Sequence, residues 1–248
     1  MKSPRRCEAW KPLAAAFLVA AMAPGAFGQD AAAPQVPDTL QQRIAACTTC
    51  HGVHGEGTPG SKYFPRLAGK PAGYLARQIQ NFQDGLRKYP PMEYTVRNLS
   101  PAYMHEIADY FSAQQVPYAR SPVPPVTAAV LQRGEQLARD GDPQRKVPAC
   151  ASCHGVELTG VEPAIPGLVG LPYDYISSQL GAWRTHTRAM RKPDCMAVVA
   201  GRLQESDITA VAAWLASRTL PAHVRPQPPG TVKPPLSCGV LEVPGAGA

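Results

Sequence analysis

Two cysteine pairs, each followed directly by a histidine, are the residues best suited to chemistry in this chain. They are Cys47, Cys50 and His51 in CTTCH, and Cys150, Cys153 and His154 in CASCH. Two cysteines three positions apart can bond to the same edge of a porphyrin, and the adjacent imidazole can then bind its iron, so C-x-x-C-H is the attachment signature of c-type haem. The sequence therefore predicts two covalently bound haem c groups.

Other chemistry for these cysteines is less compatible with their spacing. A zinc site made from two CxxC pairs usually places the pairs within about 15–20 residues of each other. Here about 100 residues separate them. Neither zinc binding nor a thioredoxin-type redox pair requires a histidine next to the second cysteine, and a βαβ context for thioredoxin chemistry is absent. Haem attachment is therefore the favoured interpretation.

The sixth iron ligand decides between an electron carrier and an enzyme, because an iron with two protein ligands has no open position for substrate. Methionine opposite histidine is a ligand pair of electron-transfer cytochromes and raises the reduction potential. Met92 lies in the segment YPPMEY, which we expect to be a loop, and Met196 occupies the corresponding place in the second half. The predicted iron ligands are therefore His51 with Met92 and His154 with Met196.

Competing ligands exist at both sites. Met190 lies shortly before Met196 and is an alternative at the second site, whereas Met104 belongs to a helical apolar stripe and is predicted to be packing. The other histidines of the mature chain have no counterparts between the halves, so we expect surface or packing roles for His54, His105, His186 and His223.

An internal repeat with a period slightly above 100 residues positions these groups. Besides the two CxxCHG motifs, PRLAG at 65–69 returns as PGLVG at 166–170, an offset of 101 residues. The same offset relates Tyr74, Gln78 and Phe82 to Tyr175, Gln179 and Trp183. Their aromatic residues lie at core-forming helical spacing, so they are predicted to form haem-pocket walls rather than to do chemistry. Pro65 and Pro166 are either turn-forming prolines or carbonyl acceptors for the ring N–H of the haem histidines.

The periodicity within each copy is helical, and no stretch shows sustained strand alternation. Helices are predicted before each CxxCH, at about 38–47 and 127–140. A later helix begins with Ser100 as N-cap and Pro101 at its first position, and its counterpart ends at about Arg218. The fold class is therefore all-α, with long loops that a haem would organise.

Proline-rich segments mark the domain boundaries. Residues 116–126 read as a semi-rigid linker. The resulting division is a cleaved signal peptide at 1–28, a first cytochrome c-like domain at 29–119, a second at 120–220, and an irregular Pro-rich tail at 221–248.

The N-terminus carries an export signal. Basic residues precede an apolar run at 13–23 that is too short to cross a bilayer. Ala26 and Gly28 are small residues at the two positions that a signal peptidase inspects, so cleavage is predicted after Gly28. This indicates the periplasm, where a disulfide between the two remaining cysteines, Cys195 and Cys238, is expected; two free thiols are the alternative.

The formal net charge of +7 becomes smaller when the signal peptide is removed. No clustered basic face interleaved with aromatic residues is present, which argues against nucleic-acid binding. A mild positive charge is compatible with an acidic redox partner or with peripheral association with an anionic membrane.

Together these features resemble the diheme cytochrome c4 family over about residues 36–220. The resemblance rests on two CxxCHG sites, the P-x-L-x-G…Y…Q…F/W pattern, and M-x6-L leading into the last helix of each half. It implies two class I cytochrome c domains related by an approximate two-fold axis, haems near the domain interface, and His/Met ligation at both irons. The Cys195/Cys238 pair and the tail depart from that pattern.

The predicted function is that of a periplasmic diheme electron carrier in a respiratory chain, not an enzyme, with a terminal oxidase or a dehydrogenase as its redox partner. One alternative is the electron-accepting cytochrome subunit of a dehydrogenase complex. Another is a diheme peroxidase or a thiosulfate-oxidising enzyme, which would require one iron with an open or displaceable sixth position.

Overall fold

The computed structural model describes residues 38–220 and 224–239. All described residues belong to one compact unit. The predicted signal peptide at 1–28, His223 and the end of the tail lie outside the described residues.

The first half of the described chain is helical. Its helices are α1 (Leu40–His51), α2 (Ala72–Gln83), α3 (Pro90–Val96) and α4 (Pro101–Ala113). The Ser100 side chain accepts a hydrogen bond from the Tyr103 backbone N–H, and Pro101 begins α4, so the predicted N-terminus of this helix is confirmed. Residues on the inner faces of α1, α2 and α4 form one core: Ile44, Leu75, Ala76, Ile107, Ala108 and Phe111.

The second half repeats this arrangement. Its helices are α5 (Ala128–Arg139), α6 (Ala151–His154), α7 (Tyr173–Arg184), α8 (Cys195–Arg202) and α9 (Glu205–Ser217), with a short 3-10 turn at Pro143–Arg145. Helix α5 crosses α9 closely because Gly134 has no side chain: a Cβ there would lie 2.1 Å from the carbonyl oxygen of Ala210.

The all-α prediction is confirmed, with one small addition. Two antiparallel strands of two residues each, β1 (Gly160–Val161) and β2 (Ile165–Pro166), follow the second haem motif. Strands this short contain no alternation that a sequence pattern could reveal.

The predicted loop around Met92 is wrong, because this segment is helix α3. Pro90 and Pro91 occupy its first two positions. Proline is favoured there because its fixed φ suits a helix and because the first N–H groups of a helix have no intrahelical partner. Helix α1 also extends further than predicted, through the haem motif to His51.

The connection at 114–127 has no helix or strand, as the proline content predicts. Arg66 holds it in place by donating to the Val116 and Pro117 carbonyls and by stacking on Tyr118 at 3.9 Å. The Tyr118 ring in turn packs against Gly170 of the second half. The domain limits given above stay a prediction.

Two loops pair across the halves. The Lys88 N–H donates to the Thr187 carbonyl at 2.8 Å, and the Ala189 N–H donates to the Leu86 carbonyl. Arg87 and Arg188 are thereby opposite each other in an antiparallel bridge. The two halves are joined by backbone hydrogen bonds as well as by the linker.

Candidate haem sites

Each half contains one cavity that gathers its predicted haem residues. The first is lined by Cys47, Cys50, His51 and Met92, and its apolar wall includes Phe82. The second is lined by a larger set: Cys150, Cys153, His154, Met196, Met190 and Trp183. The structure therefore brings every predicted site residue into the cavity expected for it, while their bonding to haem stays a proposal.

Both haem histidines are oriented by a proline carbonyl. The His51 Nδ1–H donates to the Pro65 carbonyl at 2.8 Å, and the His154 Nδ1–H donates to the Pro166 carbonyl at 2.7 Å. A carbonyl can only accept, so the proton must be on Nδ1 and the Nε2 lone pair is left for a metal. The acceptor role foreseen for Pro65 and Pro166 is confirmed.

Burial keeps these imidazoles neutral. It lowers the pKa of His51 and lowers that of His154 to about 4, with the Lys70 charge adding to the effect at His154. A neutral imidazole is the form that binds a metal.

The pKa values of the cysteine thiols are shifted in the opposite direction to those of a reactive redox pair. Burial raises the pKa of Cys47 to about 11 and that of Cys150 to about 12, whereas redox-active CxxC thiols have lowered pKa values. Within the described ranges, no group of three or more His, Cys, Asp or Glu side chains could hold a metal ion. The thiols therefore suit haem attachment better than disulfide exchange or zinc binding.

At the first site only one candidate methionine lines the cavity, whereas at the second site both candidates do. Met104 is 4% exposed and does not line the first cavity, so its predicted packing role is confirmed. Met190 and Met196 both line the second cavity. Met92 and Met196 occupy short helices at matching places in the two halves, α3 and α8, and this symmetry favours Met196 over Met190.

The other described histidines do not line either cavity. His54, His105 and His186 are exposed and line neither one. Their predicted surface or packing role is confirmed as a surface role.

The two cavities share a wall, a feature that no sequence pattern predicted. Six side chains line both of them: Lys70, Tyr74, Gln78, Tyr175, Gln179 and Arg188. Arg87 donates to Tyr175 Oη at 3.2 Å and to Gln179 Oε1 at 2.8 Å, both in the other half. Arg188 reciprocates, to Tyr74 Oη at 3.2 Å and to Gln78 Oε1 at 3.0 Å.

The shared wall is cationic. Lys70 is 4% exposed and donates to the Gly167 carbonyl, and Arg188 is 6% exposed. Among the described residues, no carboxylate pairs with either of them or with Arg87. Arg87 and Arg188 are separated by the repeat offset of 101 residues, so the sequence contained a signal for this pair. Lys70 gave no such signal, because its matching position is occupied by Leu171.

Two buried donors also point to an acidic cofactor in the second cavity. Trp183 Nε1 and Arg77 Nη2 are buried and, among the described residues, have no hydrogen-bond partner. Both side chains line the second cavity. Unpaired buried donors are costly, and haem propionates are anionic acceptors that would satisfy them and offset the cationic wall. The residues present therefore fit two haem c groups.

The tail is fixed to the second half by the predicted disulfide. Cys195 and Cys238 are bonded, with Cα atoms 5.1 Å apart, so the alternative of two free thiols is wrong. Cys195 directly precedes Met196, and Pro234, Leu236 and Cys238 of the tail line the second cavity. In the described part of the chain, no helix has the length and apolar character that crossing a membrane requires.

Comparison with known proteins agrees with this architecture. The Cytochrome c family model matches residues 41–117 and 131–219. The thiosulfate dehydrogenase electron acceptor of Thiomonas intermedia (strain K12) is 38% identical over 76% of this chain and 86% of that protein.

Two solved structures are similar in fold and sequence. Cytochrome c4 of Acidithiobacillus ferrooxidans is 30% identical with a TM-score of 0.60, covering 71% of this chain and 99% of that chain. Thiosulfate dehydrogenase (TsdBA) of Marichromatium purpuratum, in its as-isolated form, is 36% identical with a TM-score of 0.63, covering 70% of this chain. This chain spans 36% of that structure's length.

The repeated cavities, the oriented histidines and these similarities lead to one conclusion. The chain belongs to the diheme cytochrome c4 family, carries two covalently bound haem c groups and transfers electrons.

Proposed function

We propose that this cytochrome accepts electrons from a dehydrogenase in the periplasm, and that the dehydrogenase oxidises thiosulfate. The observation that carries the proposal is the similarity to a protein named as a thiosulfate dehydrogenase electron acceptor, which this chain matches over 86% of its length. The signal-like N-terminus supports the compartment.

We further propose that each cavity attaches one haem through its two cysteines. His51 and Met92 would hold the first iron, and His154 and Met196 the second. A haem c group supplies one reversible one-electron change at its iron. The Pro65 and Pro166 carbonyls fix the imidazole rings, and the two methionines would occupy the iron position that a substrate otherwise takes. This arrangement favours a carrier over the enzymatic alternatives.

The shared wall gives the two sites a joint role. Because the same six side chains line both cavities, one layer of protein would separate the two cofactors. Arg87 and Arg188 hold this layer in place by bonding to both halves. Two one-electron sites so close together match the pair of electrons that a two-electron oxidation releases.

The test uses the oxidised holoprotein and a purified thiosulfate dehydrogenase. We expect the haems to be reduced when the enzyme and thiosulfate are both present, with two electrons taken up per chain. The reduction is measured as an absorbance change in a stopped-flow instrument. Thiosulfate alone should leave the haems oxidised. Reduction by thiosulfate alone would support the enzymatic alternative, and no reduction in the complete mixture would refute the proposed partner.

A further inference from the structure

The tail crosses the second cavity from the histidine side to the methionine side. Near the histidine, Gln227 exchanges backbone hydrogen bonds with Gly160 at 2.8 Å and Glu162 at 2.9 Å, and its side chain packs on Gly155. Near the methionine, Cys238 is bonded to Cys195, and the Gly239 N–H donates to the Pro193 carbonyl at 2.8 Å.

Between these anchors, the tail contributes apolar side chains to the cavity wall. Pro234 and Leu236 line the second cavity. The first cavity has no such covering in the described part of the chain, because its lining residues all lie between Arg43 and Arg188.

The matched positions around the two cavities differ in exposure accordingly. Cys50 is exposed, whereas its counterpart Cys153 is half-buried. On the methionine side, Pro91 and Thr95 are exposed, whereas their counterparts Cys195 and Val199 are half-buried. The second site is therefore screened on both sides of its predicted haem.

The mouth of the first cavity is basic and aromatic. Lys62 and Lys88 are exposed and line it, and neither forms a salt bridge with a described residue. Tyr63 is 50% exposed and stacks on Tyr89 with ring centroids 5.7 Å apart. Lys62 lies 4.9 Å from the Tyr63 ring centre.

None of this rim is repeated in the second half. At the offset of 101 residues, the positions that match the two lysines, Lys62 and Lys88, hold Pro163 and Ala189. The position that matches Tyr63 holds the buried Ala164. Exposed tyrosine is enriched at protein interfaces, and lysines at the rim of an interface attract a partner of complementary negative charge.

From these observations we infer that partner proteins exchange electrons with this cytochrome at the first haem alone, by placing an acidic surface on the rim formed by Lys62, Tyr63, Lys88 and Tyr89. The tail excludes partners from the second haem. The inference requires a haem in each cavity but does not depend on which dehydrogenase is the donor.

Two electrons can enter through this one surface. In each encounter, a reduced centre of the acidic partner would lose one electron, and a ferric haem held by Cys47, Cys50 and His51 would gain it. Passing that electron across the shared wall to a ferric haem in the second cavity would leave the first haem ferric and able to accept a second electron.

The test uses nuclear magnetic resonance of the reduced holoprotein with two paramagnetic probes. Hexacyanochromate(III), a redox-inert trianion, stands in for the acidic surface, and an uncharged gadolinium chelate reports solvent access. We expect the anion to broaden first-haem signals several-fold more than second-haem signals. The neutral chelate should do the same, because the tail covers the second cavity. Equal broadening of both haems, or stronger broadening of the second, would overturn the inference.

Variants separate the two parts of the inference. Lys62→Glu with Lys88→Glu should reduce the anion's broadening of the first-haem signals several-fold and leave the broadening by the neutral chelate unchanged. Arg184→Glu, an exposed charge reversal on the second half, should change neither. Cys195→Ser with Cys238→Ser should release the tail and let the neutral chelate broaden second-haem signals. If the second haem stays protected from the chelate with the disulfide absent and the rest of the spectrum unchanged, the disulfide-bound tail is not what excludes partners, and the inference is overturned. A haem content other than two per chain would instead count against the proposed function.

Discussion

Arg87 and Arg188 lie opposite each other across the two halves, and each guanidinium bonds to the helix of the other half. The pair forms a reciprocal clamp: Gln78 and Gln179 each accept from both arginines. Hydrogen bonds donated by buried charged groups are stronger than those between neutral groups. When such a donor is removed, its buried acceptors are left without a partner. The clamp therefore fixes the orientation of the two predicted haem sites.

Removing one arm of the clamp should destabilise the protein. Arg188→Ala deletes hydrogen bonds to Gln78, Gln179 and Tyr74 in a buried setting. We expect the free energy of unfolding of the holoprotein to fall by about 2–3 kcal/mol, measured by urea titration. Arg184→Ala, which truncates an exposed arginine at the end of α7, serves as the control. A loss below about 0.5 kcal/mol for Arg188→Ala would show that the clamp contributes little.

The second-site ligand can be assigned with two matched variants. Met196→Ala should remove the methionine-to-iron near-infrared band of one haem, halving its intensity per chain. Met190→Ala should leave the band unchanged, because Met196 occupies the helix that corresponds to that of Met92. The reverse result would assign the iron ligand to Met190.

The Trp183 indole lines only the second cavity, so we expect its removal to change the reduction potential of the second haem alone. Trp183→Phe keeps the apolar wall but removes the buried Nε1–H, which has no hydrogen-bond partner among the described residues. It also reproduces the residue found at the matching position, Phe82. Without this donor, the negative charge of a haem propionate is less well neutralised, so we expect the second reduction potential to fall and the first to stay constant in a redox titration. A change in the reduction potential of the first haem, with that of the second haem unchanged, would contradict this prediction, because it would show that Trp183 acts on the first haem.

Acid should weaken the second half through Asp142. Hydrogen bonds from Arg133 and then Arg145 lower the pKa of Asp142 to about 2, below its usual value near 3.9. A carboxylate with a lowered pKa in the folded state stabilises the fold above the unfolded-state pKa and loses this effect as the pH falls towards 2. The free energy of unfolding should therefore decline more steeply between pH 4 and about 2 than it does for Asp142→Asn. Parallel declines would mean that Asp142 is not linked to stability.

Much of this architecture could be predicted from sequence because it is repeated. Two CxxCH motifs, two helix patterns and two methionines all point the same way. The residues that were missed act across the repeat: Lys70 has an apolar counterpart, and its burial appears only when both halves are folded together. The helix at Met92 was missed because two adjacent prolines suggest a loop, although the first turn of a helix tolerates them.

The tail shows a different limit of sequence analysis. An even number of remaining cysteines predicted the Cys195–Cys238 bond, but not that Pro234 and Leu236 would lie against the second cavity. Such a contact has no periodic signature, because it depends on where the disulfide places an irregular chain.

The most direct test of two His/Met haem sites in one electron carrier is the near-infrared spectrum of the oxidised holoprotein at neutral pH, scaled to its haem content. We expect two low-spin haems per chain, each contributing a methionine-to-iron band. One haem per chain, or a high-spin haem, would contradict it.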